Sequence, residues 1–499
     1  MKAKLQITLF MVLTTFLVKA QLTINPGGFI TINPSGSMYV GTNLHINSDA
    51  SGSGYWVDRT TSNDVSITGS VDIERYITQS GWHNTASPVN NAVSSVFTGI
   101  DLIFYYDETI IQNDWNFGWV WYSGILEEMK GYDVYISSPL LVEYSAASGT
   151  HLNSGIYSIP VTKTNVSNGE SENHKGWNLI GNPYPSPVDW LEETGWDKTD
   201  INDAKYIWSP ENNNYTIFLG GSNPTGVNGG TQFIPSNQGF WVQALQTGTV
   251  EINNACRTGT LPSTPDFYKQ LGNANSELRI QASGNGYSDE TLIRLLPEAT
   301  IGFDVNKDAG KLFSPFDSIP QICTFSDHTQ LAINSLPEQL NELAIPMEFY
   351  CNTMGNYRIS IDKSAEILTH NKIYLKDVRE QKTIDLGLVE EYLFYHDPTY
   401  NPKRFIIYFN PSKEFIGDIN PAYWFSVTSS GNKLTIQRNT RVFHKAALSV
   451  YNMLGQIIFT RPINNALKSS YTLAAPVGYY MVTIQTESYL SGTKIYLSD

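Results

Sequence analysis

Apolar and polar residues alternate in short runs along most of the chain, and turn-forming residues interrupt the runs at intervals of roughly ten. Leu278-Arg279-Ile280, Met347-Glu348-Phe349, Tyr357-Arg358-Ile359-Ser360-Ile361 and Arg404 to Phe409 follow this period, as do Leu448-Ser449-Val450 and Tyr480 to Ile484. Period two is the period of a strand with one face buried. The expected class is therefore all-β: tandem Ig-like β-sandwich domains after a short β-rich N-terminal segment, with very little helix. The one helix expected is Pro187 to Thr194, where Ser186 can cap, Pro187 suits the first turn and Gly195 can terminate.

The same pattern divides the chain. Residues 1–20 read as a secretory signal peptide: Lys2 and Lys4, then the apolar stretch Leu5 to Val18, then Val18-Lys19-Ala20 at the cleavage point. Residues 21–75 form a short β-rich opening. Thr23-Ile24-Asn25-Pro26 recurs there as Thr31-Ile32-Asn33-Pro34, which fits either hairpins or the start of a solenoid. Residues 76–256 contain a duplication. Gly81-Trp82 to Pro88 answers Gly176-Trp177 to Pro183, Phe104-Tyr105-Tyr106 answers Tyr206-Ile207-Trp208, and Lys130-Gly131-Tyr132-Asp133-Val134 answers Gln238-Gly239-Phe240-Trp241-Val242. Trp82 and Trp177 are expected to be buried on corresponding strands, with Pro88 and Pro183 in exit turns. A linker (257–275), a β-sandwich (276–415), a connector (416–429) and a closing unit (430–499) follow.

Charge narrows the function. Asp plus Glu number 47 against 32 Lys plus Arg, a net charge of −15, which argues against nucleic acid as a partner because phosphates demand basic patches. Only Cys256, Cys323 and Cys351 are present, so at least one thiol is free, while Cys323 and Cys351 remain a possible pair. Asp304, Asn306 and Asp308 mimic the start of a calcium loop, but Ala309 and Pro315 stand where Gly and a carboxylate are needed, so a polar turn is the better reading. No histidine sits at metal-ligand spacing from another His or Cys. No nucleophile elbow, phosphate loop or His-Glu-x-x-His occurs. The expectation is no catalytic residue, no metal and no cofactor, and a protein that binds rather than turns over. A glycosidase whose carboxylates lie far apart in sequence is the enzyme reading left open. One stripe can hold a ligand: Trp115, Phe117, Trp119 and Trp121 share a strand face. Exposed, it would stack on sugar rings; buried, it is core, which is the favoured reading.

The tail carries a resemblance. Tyr451-Asn452-Met453-Leu454-Gly455-Gln456, then Gly478-Tyr479-Tyr480-Met481-Val482, then Lys494-Ile495-Tyr496-Leu497 resemble the type A C-terminal sorting domain of cargo exported by the Bacteroidetes type IX secretion system. Gly455, Gly478, Tyr480 and Lys494 are the residues that carry the signal. Gly176 to Pro185 is similar to a motif of large surface proteins of the same bacteria. Residues 276–415 resemble a module found upstream of such tails, through Gly302-Phe303-Asp304, Asp308 to Leu312, Ile373 to Asp377 and Arg404-Phe405. The resemblance implies passage through the periplasm to the cell surface or medium, with the secretion machinery as a partner. It also implies removal of the tail and either release or attachment to anionic lipopolysaccharide. Adhesion or surface scaffolding is the expected role. Binding or degradation of an extracellular glycan is the alternative.

Overall fold

The structure is a computed structural model and describes residues 21–61, 65–97, 102–110, 118–145, 151–164, 174–259, 276–326, 329–338, 342–362, 365–412, 425–438, 446–463, 468–486 and 490–498. It is all-β. Among the described residues, Ile367–His370 is the only α-helix. The helix expected at Pro187 to Thr194 does not form. Val188–Asp189 instead pairs with Phe233–Ile234, and the Asp189 carboxylate accepts the Leu191 N–H at 2.9 Å, so a side chain supplies the turn that helix bonding would otherwise supply.

The opening is a parallel solenoid. Gln21–Ile24 runs parallel to Asn43–Ile46, Phe29–Ile32 to Tyr55–Asp58, and Met38–Val40 to Val65–Ile67. Ile24, Ile32 and Val40, eight residues apart, all point inward and are buried. The asparagine-proline turns between them set that interval. Asn43–Ile46 also pairs with Val71–Ile77, and that strand with Leu140–Ser145. The opening therefore shares a sheet with Leu140–Ser145 and an apolar core with the first copy of the duplication, and no boundary between cores falls at residue 75.

The two copies build matching sheets. The first has the spatial order Gly81–Thr85, Tyr132–Ile136, Ile103–Tyr106, Trp119–Trp121; the second has Trp177–Gly181, Gly239–Ala244, Ile201–Ser209, Asn214–Leu219, with Thr225–Val227 added at the edge. Registers agree residue for residue. Trp82 pairs with Tyr135 as Trp177 pairs with Gln243, Phe104 with Asp133 as Tyr206 with Trp241, and Tyr106 with Trp119 as Trp208 with Tyr215.

The copies meet about a pseudo-twofold axis. Thr85 bridges Gln238 while its counterpart Ile180 bridges Lys130. The Ala86 N–H donates to the Asn237 carbonyl at 3.0 Å, and the counterpart Gly181 N–H donates to the Met129 carbonyl at 2.8 Å. Met129 and Asn237 both adopt left-handed backbone, at φ 59° and 61°. This is the reciprocity of an isologous interface, carried here within one chain. Gly131 and Gly239 recur in the motif because each lies under the other copy's first strand. A Cβ on Gly131 would come within 2.7 Å of the Ile180 carbonyl oxygen, and one on Gly239 within 2.9 Å of the Thr85 nitrogen.

Residues 276–410 form one hydrogen-bonded path of strands from Lys382–Asp385 at one end to Glu391–His396 at the other, folded over a common core. Phe394 packs on Phe349 at 5.1 Å and on Phe405 at 5.0 Å, which closes the two layers on each other. Cys323 and Cys351 are separate buried thiols, as is Cys256. The carboxylates of Asp304 and Asp308 hold backbone: Asp304 accepts the Thr300 N–H, and Asp308 accepts those of Asp304 and Ser335. The tail is a small sandwich with its own core. Phe425–Ser430, Lys433–Arg438 and Lys468–Thr472 make one sheet, and Ile457–Ile463, Ala446–Tyr451, Gly478–Thr486 and Leu490–Leu497 the other.

Candidate functional site

Each duplicated sheet has two faces. One face of each packs on its own second layer: Val134, Ile136 and Ile103 against the solenoid core, and Ile180, Phe240 and Val242 against the core beneath Tyr157–Val161 and Gly248–Ile252. The other faces differ. In the second copy Trp177, Leu179, Tyr206, Ile217 and Trp241 share a core with Leu292, Leu312, Ala332 and Ile333 of the following unit and with Tyr106 of the first copy. In the first copy the matching face is only partly covered, and a cleft of about 330 Å³ opens over it.

Three segments build the cleft. The first copy supplies Trp82, Asn84, Phe104, Trp119 and Asp133, the second supplies Trp208 and Tyr215, and the loop Pro315-Phe316 closes one side. Trp82 lies 5.9 Å from Phe104, Trp208 lies 5.0 Å from Tyr215, and Phe316 stacks on Trp208 at 5.9 Å. The Trp208 indole N–H donates to the Trp82 carbonyl at 3.0 Å, which ties the two copies at the rim. Ser314 sets the loop: its hydroxyl donates to the Asn213 carbonyl at 2.7 Å and accepts the Phe316 N–H at 3.1 Å.

The floor is polar. Asn84 Nδ2 donates to Asp133 Oδ1 at 2.9 Å, while Asn84 Oδ1 is buried and accepts nothing. Asn84 is 8% exposed and Asp133 9%. Burial pushes the Asp133 carboxyl well above the ordinary carboxylate range, with the Asn84 bond opposing it only in part. Its charge also adds to burial in pushing the Tyr215 phenol up. The second copy shows what these positions carry when the face is simply core: Leu179 stands for Asn84 and Trp241 for Asp133.

Of the stripe expected from sequence, Trp115 and Phe117 lie outside the described residues. Trp119 is half-buried in the cleft wall, packed against Tyr106 at 5.3 Å and Trp241 at 5.5 Å, and Trp121 is 62% exposed. Trp177 is buried, but Trp82 is half-buried, because the cleft leaves its ring without the cover that Trp177 receives. Asn84, Asp133, Trp208, Tyr215 and Phe316 escaped the sequence reading. The available signal was that Asn84 and Asp133 put polar residues where the other copy is apolar.

The Gly176 to Pro185 motif is structural. Asn182 Nδ2 donates to the Ser186 and Pro235 carbonyls at 2.9 Å each, and its Oδ1 accepts the Tyr184 N–H at 3.0 Å. The four residues expected to carry a sorting signal sit in the tail. Gly455 takes φ 80° in a turn closed by Asn452, and Gly478 opens the strand that contains Tyr480. The Tyr480 hydroxyl donates to the Pro476 carbonyl at 2.8 Å, and Lys494 lies over the Tyr479 ring at 4.1 Å. A larger cleft of about 750 Å³ lies on the far side of Phe316, but its buried carboxylate, Glu348, already accepts from Gln330 and Tyr350 at 2.7 Å each.

Fold and cleft together define an all-β protein of several units with an aromatic-walled pocket at a repeat junction. The chain belongs to the family described as Domain of unknown function (DUF8693), whose profile matches residues 10–409. No curated protein matches it. Among solved structures it is similar to the apo β-glucuronidase of Ruminococcus gnavus at 9% identity and a TM-score of 0.14, over 29% of this chain and 36% of that one. It is also similar to a biofilm associated protein BSP domain at 10% identity and a TM-score of 0.15, over 71% of this chain and 84% of that one. The chain thus spans about a third of the glucuronidase's length, and neither likeness is strong enough to bear on its role.

Proposed function

We propose that this chain is a surface or secreted protein that acts by binding, and that the cleft over the first repeat takes an extracellular glycan. One observation carries the reading: the duplication holds Asn84 and Asp133 at positions where its other copy holds Leu179 and Trp241, and it leaves that face open. Aromatic walls around a few placed polar groups are the usual composition of a small-ligand site. Hydrolysis of a glycosidic bond calls for two carboxyls flanking it. The described lining of this cleft holds one, Asp133, which favours binding over turnover. Export by the type IX route is part of the proposal and rests on the tail pattern, which folds around a core of its own. The secretion machinery and anionic lipopolysaccharide are the partners it implies.

A glycan-array screen of the full chain, followed by titration of the best binder, tests the reading. Trp82→Ala and Trp119→Ala should each weaken binding at least about tenfold, or ~1.4 kcal/mol. Equal affinity of both variants and the parent, or no glycan bound, would refute it.

A further inference from the structure

The chemistry of the cleft floor says more than that a ligand fits. Elsewhere this protein compensates the carboxylates it buries. Asp289 faces Lys311, and Asp377 forms a pair with Arg404 at 2.8 Å, all four side chains being almost fully buried. Glu108 accepts the backbone N–H groups of Thr164 and Gly176 at 2.9 Å, and Asp308 accepts two backbone amides. Asp133, 9% exposed, has a single neutral donor among the described residues, Asn84. Among the described residues, no Lys, Arg or His lines its cleft.

The second acceptor at the floor, Asn84 Oδ1, has no donor at all. The walls are the rings of Trp82, Phe104, Trp119, Trp208, Tyr215 and Phe316. Ring faces carry the negative end of a quadrupole and attract cations, most strongly where water is excluded. A buried carboxyl without a counter-charge, a free acceptor beside it and a ring-lined wall all complement positive charge. They would repel an anion. A neutral sugar could use the acceptors but would bring no positive charge to the buried carboxyl, whereas an ammonium group would pair with its ionised form. The net charge of −15 adds a long-range field of the same sign.

Resting on the reading of this cleft as a ligand site, we infer that it recognises an organic ammonium group carried on a sugar, an amino sugar whose nitrogen is free and protonated. The ammonium sits against Asp133 and Asn84 Oδ1, and the sugar ring lies along the indoles. No bond is made or broken. The ligand supplies the cation that Asp289 and Asp377 obtain from Lys311 and Arg404.

Calorimetric titration of the full chain with three probes tests this: a glucosamine trimer, the N-acetylglucosamine trimer, and tetramethylammonium. The glucosamine trimer should bind at least tenfold tighter than the acetylated trimer. Asp133→Asn, which keeps shape and the potential for hydrogen bonding, should abolish that preference while leaving the near-ultraviolet circular dichroism unchanged. Equal or tighter binding of the acetylated trimer would overturn the ammonium inference and leave the glycan reading standing. Binding of tetramethylammonium with neither trimer would support the ammonium class and overturn the glycan reading. Binding of none of the three would overturn both. The comparison among probes on the parent chain decides the matter even if the variant fails to fold.

Discussion

If the Asn84–Asp133 pair is kept for a ligand, then removing it should stabilise the empty protein. The perturbation is the double substitution Asn84→Leu and Asp133→Leu, which gives the first repeat an apolar floor like that of the second, where Leu179 and Trp241 stand. Each buried polar group left without a full set of partners costs about 1–3 kcal/mol, and Asn84 Oδ1 and the Asp133 carboxyl are two such groups. Against this, one hydrogen bond to a carboxylate is lost, worth about 1.5–3 kcal/mol. Taken at the middle of each range, the net is a gain of about 2 kcal/mol, or a rise in melting temperature of roughly 4–8 °C for a unit of this size. The gain should depend on pH. Burial raises the folded-state pKa of Asp133, so the folded protein holds that proton over a window in which the unfolded chain has released it. Whatever the carboxyl contributes is therefore most favourable in acid and is lost as pH rises through the folded value, and the double variant should gain more at pH 7 than at pH 4. Calorimetric melting at the two pH values measures both effects. A melting temperature that falls at pH 7 would show that the pair pins the sheet, and the argument for a ligand would fail.

Three other outcomes follow from the fold. Gly181→Ala puts a methyl group against Ala86 across the pseudo-twofold axis and should cost about 1–3 kcal/mol, and Ala86→Gly in the same chain should recover at least half of it, as a double-mutant melting cycle would show. Lys205 stands where the first copy has Ile103, and burial pulls its ammonium down to about 7. The unfolded chain therefore holds this proton above pH 7 while the folded protein does not, so the penalty of Lys205 is full below pH 7 and fades toward pH 10. Lys205→Met should stabilise more at pH 6 than at pH 9, and an equal gain at both would contradict the assignment. If the tail directs export as proposed, deleting residues 430–499 should retain the rest of the chain, still folded, inside the cell, as fractionation and immunoblotting would show, since the tail has an apolar core separate from those of the other units.

The duplication was legible because it rests on residues whose roles are local. Gly131 and Gly239 mark the close approach, and the Trp82 and Trp177 positions begin matching strands. Strand period made the fold class readable for the same reason: alternation records which face is covered. What alternation cannot record is by what a face is covered. Trp82 and Trp177 occupy the same place in the repeat, yet only the second lies beneath the following unit. The cleft was hidden because its walls come from strands more than a hundred residues apart and from Phe316, in a loop that no periodicity marks. The solenoid was half visible: the interval between Ile24 and Ile32 was plain, but parallel stacking depends on partners such as Asn43–Ile46, which carry no matching motif. The helix expected at Pro187 failed because Val188 had a strand partner in Ile234.

The most direct test of the binding cleft is fluorine NMR of the chain labelled with 5-fluorotryptophan. The sequence holds 11 tryptophans, and each resonance can be assigned by a single change to phenylalanine. On adding the glucosamine trimer, the signals of Trp82, Trp119 and Trp208 should move together along one saturation curve, while those of the core residues Trp177 and Trp190 stay fixed. Shifts confined to tryptophans away from the cleft, or no shifts at all, would contradict the account.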